Sequence, residues 1–153
     1  MGVSTDGYIF YGILFDEGQE YPWDEEEDGD IQTWWLKECG FKPTKEFFDK
    51  NGNYINGKEP SREEMSSYFK EKRDFLDSKP CPVEELNYCS DGCPMYALVL
   101  PNKTISGLRG DPTVFNPLDL KVTEEEKKGL IDFCEKYGLE CGEPKWYVGS
   151  FWG

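Results

Sequence analysis

Apolar residues run almost unbroken over 8–15, "YIFYGILF", and fill both alternating faces. Tyr8, Phe10 and Leu14 share one face; Ile9, Tyr11, Ile13 and Phe15 share the other. A period of two with both faces apolar predicts a strand over 7–16 that is covered on both sides, and so central in its sheet. Ile31, Trp34, Trp35 and Cys39 then fall at helical spacing, with Asp30 as N-cap and Gly40 as a C-terminal stop. In "FFDKNGNYING" (47–57), Asn51-Gly52 sits between Phe47/Phe48 and Tyr54/Ile55, the pattern of a hairpin. Ser61 with Glu64 forms a capping box for a second helix, whose stripe is Met65, Tyr68, Phe69, Phe75 and Leu76 and which ends before Pro80.

Residues 78–94 are rich in Pro and Cys and read as irregular. "MYALVL" (95–100) is a strand stopped by Pro101, and 102–121 reads mostly as loop with turn signals at "GDP" and "NP". Thr123 and Glu126 form a third helix start; Leu130, Ile131, Cys134 and Tyr137 line that helix, and Gly138 ends it. "KWYVGSFW" (145–152) is the last strand. This order predicts an α+β fold: one small mixed or antiparallel sheet of about three to five strands, with about three amphipathic helices packed on it. The first and last strands are the most apolar and are expected to pair. Trp34 and Trp152 are expected to be buried. No repeat or linker interrupts the chain, so 1–153 is expected to be a single globular domain with an acidic loop at 16–30.

Charge changes this picture at one place. The chain has 17 basic and 31 acidic residues, no His, and a net charge of −14. Nine acids and no base lie in 16–30; removing those nine from the net −14 leaves −5 for the remainder. Such a chain repels nucleic acid and anionic lipid and attracts basic protein surfaces. Direct nucleic-acid binding and membrane association are therefore not expected. Five Trp, nine Tyr and ten Phe argue against disorder despite the charge.

The helix dipole favours acids at a helix start, which accounts for Asp28 and Asp30 but not for Asp24 through Glu27. Extended, residues 24–30 span roughly 23 Å at ~3.3 Å per residue. Their six acids then lie about one per 4 Å, against one per ~3.4 Å along a single nucleic-acid strand. The segment can thus imitate a nucleic-acid backbone. The plainer alternative is a solvated loop that keeps the protein soluble. Tyr21 and Trp23 flank the charge as candidate anchors. The candidate partner-binding residues are Glu20, Tyr21, Trp23, Asp24, Glu25, Glu26, Glu27, Asp28 and Asp30.

Without His, Ser-His-Asp and Cys-His catalysis and His metal ligation drop out, and no catalytic residue is assigned. Cys81, Cys89 and Cys93, with one of Cys39, Cys134 or Cys141, form a candidate zinc set; packed thiols are the competing reading. "DKNGNYINGKE" (49–59) has calcium-like spacing at Asp49, Asn51 and Asn53, but Tyr54 replaces the required glycine. "DEEEDGD" likewise starts like a calcium loop and breaks at Trp35. No cofactor is expected.

"MGVSTDGYIFYGILFDEG", the following "PW" and the terminal "PKWYVGSFWG" resemble the two ends of a family of small, acidic, uncharacterised bacteriophage proteins. The resemblance carries no site residues. It implies phage origin and action in the host bacterial cytoplasm, where phages deploy acidic inhibitors of host defence, some of them nucleic-acid mimics. The expected function is an accessory interaction protein that binds a basic host or phage protein, such as a host nucleic-acid-binding or defence protein, through the acidic loop. The alternatives are a small enzyme with carboxylate-held Mg or Mn and a cysteine-based structural zinc protein.

Overall fold

A computed structural model describes residues 5–15, 18–24, 29–49, 52–90 and 92–152. The fold is α+β, with three α-helices and a four-stranded mixed sheet among these residues. The chain forms two compact units, Met1–Gln19 with Pro82–Gly153, and Glu20–Cys81.

The first unit is built on β1 (Thr5–Leu14), β2 (Glu84–Ser90), β3 (Cys93–Gly107) and β4 (Lys145–Trp152). β1 pairs antiparallel with β4 along Thr5–Gly12, as the apolar ends of the sequence lead one to expect, and antiparallel with β3 on its other edge. β2 pairs antiparallel with β3 and meets β4 in parallel only at Cys89↔Phe151 and Ser90↔Trp152. That short contact closes the sheet into a barrel of order β1-β3-β2-β4.

Alternation of side chains divides the apolar residues between two faces. Phe10, Ala97 and Val99 are buried together, with Tyr8, Leu86, Tyr88 and Tyr147 packed against them. The Phe10 ring stacks 5.6 Å from Tyr147 and lies 5.9 Å from Tyr88. The opposite face of β1 and β3 buries Tyr11, Ile13, Leu98 and Leu100. Against β3 lies α3 (Glu124–Tyr137), which buries Leu130, Phe133 and Cys134. The centre of β1, Phe10–Ile13, is therefore buried on both faces, which is why it lacks a polar stripe. The Thr123–Glu126 capping box starts α3, and Gly138 ends it in the left-handed conformation.

Two sequence expectations change. β3 does not stop at Pro101 but continues to Gly107 through an irregularity. Phe10 pairs with Thr104 and Gly12 with Val99, so residues 100–103 all face the single residue Tyr11. Proline, which lacks an N–H, is tolerated at such a bulge. The stretch 78–94 is likewise not irregular: it holds β2 and the start of β3. Leu86 and Tyr88 supply β2's inward face, a short alternation hidden among Pro, Cys and acids.

In the second unit, α1 (Ile31–Glu38) packs against α2 (Arg62–Ser78). The Asp30 N-cap, the Gly40 stop at φ 75° and the Ser61–Glu64 capping box are all present. Trp23 has 0% exposure; its ring stacks 5.3 Å from Tyr21 and lies 5.4 Å from that of Trp34. Phe41 meets Phe75 edge-on at 5.2 Å, and the Trp35 indole N–H donates to the Lys79 carbonyl at 2.9 Å. The expected hairpin at 47–57 amounts to one antiparallel bridge, Phe48↔Tyr54, followed by a 3-10 turn at Ile55–Gly57. Asn51 lies outside the described residues.

Two substitution tests follow from this packing. A Cβ on Gly12 would lie 2.2 Å from the Leu98 carbonyl oxygen, a clash with backbone that no rotamer relieves. Gly12→Ala is expected to destabilise by about 1–3 kcal/mol or more in denaturant titration. The two tryptophans expected to be buried should now separate. Trp34 is buried and Trp152 is 56% exposed, because Trp152 lies at the very end of β4, opposite Thr5. Trp34→Ala should cost about 3–5 kcal/mol, while Trp152→Ala should cost less than about 1 kcal/mol.

Candidate interaction site

Within the acidic segment, residues 21–24 form a tight turn. The Asp24 backbone N–H donates to the Tyr21 carbonyl at 3.1 Å, and the Tyr21 N–H donates back to Asp24 Oδ2 at 2.8 Å. Asp24 thus holds the "EYPWD" turn shut, a local role that distance from the helix had not suggested. At the other end, Asp30 accepts from Gln32 N at 3.2 Å, Thr33 N at 3.0 Å and the Thr33 hydroxyl at 2.8 Å. These bonds satisfy backbone donors that the first turn of α1 leaves open.

The candidate residues therefore fall into different environments. Glu20 and Asp24 are exposed, Tyr21 and Asp30 are half-buried, and Glu25, Glu26, Glu27 and Asp28 lie outside the described residues. Trp23 is corrected: a ring with no exposed surface is a core element of its unit and offers a partner nothing. Its signal in the sequence was "YPW", where Pro22 fixes a turn that folds Trp23 back beside Tyr21. Glu20, Tyr21, Pro22 and Asp24 line an open depression of about 500 Å³. Glu20, Asp24 and Asp30 form no ion pair, so their charge is not neutralised within the described fold.

A second depression of about 190 Å³ lies beside Lys45, Phe47, Lys58 and Glu64. Lys45 pairs with Glu64 and also sits 5.1 Å from the centre of the Phe47 ring. Its walls carry both signs of charge, and the sequence reading did not single it out.

The chemical alternatives gain no support. Among the described residues, no group of three or more Cys, Asp or Glu is arranged to hold a metal ion. Cys89 and Cys93 belong to the β2–β3 hairpin, where Cys89 is opposite Pro94 and Cys93 opposite Ser90. Asp49 accepts from the Asn53 N–H at 2.9 Å, which makes it a turn-forming residue of the short hairpin. Burial raises the Glu84 carboxyl above its usual range, but Glu84 has no hydrogen-bond or ion partner among the described residues to complete an acid–base pair. No helix among these residues is long and apolar enough to cross a membrane. Comparison with protein-family models, curated proteins and solved structures finds no match.

Glu64 offers a clean electrostatic test. Its hydrogen bond with Lys45, and then the Ser61 backbone N–H, hold its carboxyl down at about 2, against an ordinary 4.5. A lowered folded-state value contributes stability that is present above the unfolded value and is lost as pH falls through the folded one. Glu64→Gln should therefore flatten the decline in melting temperature between pH 4.5 and pH 2. An unchanged acid limb would count against the Lys45–Glu64 contact.

Proposed function

We propose that the protein is an accessory interaction protein that docks a basic partner through the acidic segment 16–30. The observation that carries this reading is nine acids with no base in that segment, on a chain only mildly acidic elsewhere. Asp24 and Asp30 are committed to the turn and the helix cap. Glu20 and the run Glu25–Asp28 are left as the charge a partner meets, with the half-buried Tyr21 beside them in place of Trp23.

The near match between the spacing of these acids and that of phosphates on one strand favours a partner whose ordinary ligand is nucleic acid. With the resemblance of the chain's ends to phage proteins, this makes a host nucleic-acid-binding or defence protein the preferred target, met in the bacterial cytoplasm. Acids at a rim chiefly steer encounter, so the effect should fall on association rate.

The test replaces Glu25, Glu26 and Glu27 with Gln and Asp28 with Asn, leaving Asp24 and Asp30 in place. The melting temperature should hold or rise, because like charges are removed and no described hydrogen bond is lost. Capture of basic proteins from infected bacterial lysate by the wild type should fall steeply between low and physiological salt. The neutralised variant should lose that capture, and added nucleic acid should compete for the same proteins. Equal capture by both forms would reduce the segment to a solubilising loop.

A further inference from the structure

The C-terminal turn of α3 brings two thiols together. Gly138, at φ 68°, reverses the chain, and the Leu139 N–H donates back to the Cys134 carbonyl at 2.9 Å. Leu139 is buried by this reversal, and Cys141 follows two residues later. There the Cys141 side chain lies close enough to Cys134 to act on its thiol. Neither Cys134 nor Cys141 is in a disulfide. Cys134 has 0% exposure, whereas Cys141 is half-buried and can be reached from solvent.

We propose that Cys134 and Cys141 are a reactive thiol pair that a peroxide-class oxidant converts to a disulfide, locking the end of α3 to the connection that leads into β4. Attack begins at Cys141, the accessible sulfur. Its thiolate displaces hydroxide from hydrogen peroxide and becomes a sulfenic acid, and the hydroxide takes up a proton to leave as water. The Cys134 sulfur then attacks the sulfenic sulfur. The S–S bond forms, the S–O bond breaks, and the leaving hydroxide takes the Cys134 proton as a second water. Two thiols lose two electrons in all, and one peroxide gains them.

Burial and the Cys141 contact push the Cys134 thiol up to about 12, which keeps it protonated and quiet until its neighbour is oxidised. The sequence signal was the short "CEKYGLEC" spacing across a helix-ending glycine, which a reading focused on zinc passes over. This inference is independent of the acidic segment.

The whole chain supplies the test. Reduced protein is treated with a modest excess of hydrogen peroxide, blocked with iodoacetamide, cut with trypsin and mapped by mass spectrometry. Cleavage after Lys128, Lys136 and Lys145 places Cys134 and Cys141 on different peptides, so a disulfide appears as a linked pair that dithiothreitol separates. The expected result is that this pair forms ahead of any other cross-link, and that the oxidised protein melts at a higher temperature. In Cys141→Ser, Cys134 should stay reduced under the same treatment. The proposal fails if Cys141 is recovered alkylated, or as sulfinic acid with Cys134 still free. It also fails if Cys134 oxidises equally well in Cys141→Ser.

Discussion

β1 and β3 touch backbone to backbone at Gly12, and the barrel depends on that approach. With no side chain at 12, the Leu98 carbonyl can occupy space that any Cβ would claim. The register then slips, and β3 bends through 100–103. The slip lets one continuous strand pair with β1 on both sides of the bend, through Val99 and its neighbours before it and through Thr104 and Ile105 after it. Alternation then sets Ala97 and Val99 against Phe10 on one face and leaves Leu98 and Leu100 on the other, toward α3. One missing methyl group thus allows two apolar layers to be built on a single strand pair.

The legible parts of the sequence were those with local causes. Asp30, Ser61 with Glu64, and Thr123 with Glu126 all cap the helices they announce, because a cap is a contact within three residues. Gly40 and Gly138 end helices for an equally local reason. β1 and β4 were legible from apolar density. The long reach of β3 was not, because Pro101 signals a stop unless one knows that the strand bulges there, and the bulge is fixed by Gly12, nearly ninety positions away. Trp23 failed in the same way. Beside five acids it reads as a surface anchor, and only the placement of Trp34 on α1 shows it to be core. Of the candidate site, Asp24 and Asp30 could be placed by their hydrogen bonds, whereas Glu20 makes no hydrogen bond or ion pair among the described residues from which a role could be read.

The acids of this protein do two kinds of work. Asp30, Glu64 and Glu126 are bound to backbone donors at helix starts, where the dipole favours negative charge. Glu20 has no such local engagement, and its cost to the fold is only the repulsion of its neighbours. Selection for folding alone would neutralise part of the acidic segment.

The barrel draws its first strand from far away in the chain. Gly7 pairs with Gly107 and Thr5 with Trp152, and the Glu20–Cys81 unit lies between them in sequence. Closing a loop of a hundred residues costs about 4 kcal/mol in chain entropy by the logarithmic scaling law. During synthesis, β1 therefore emerges long before either partner and waits as a bare apolar strand while Glu20–Cys81 is made. For that interval "YIFYGILF" is the most aggregation-prone stretch of the nascent chain. A chaperone that holds extended apolar segments would meet this protein through β1, and expression yield would track that encounter more closely than the stability of the finished barrel.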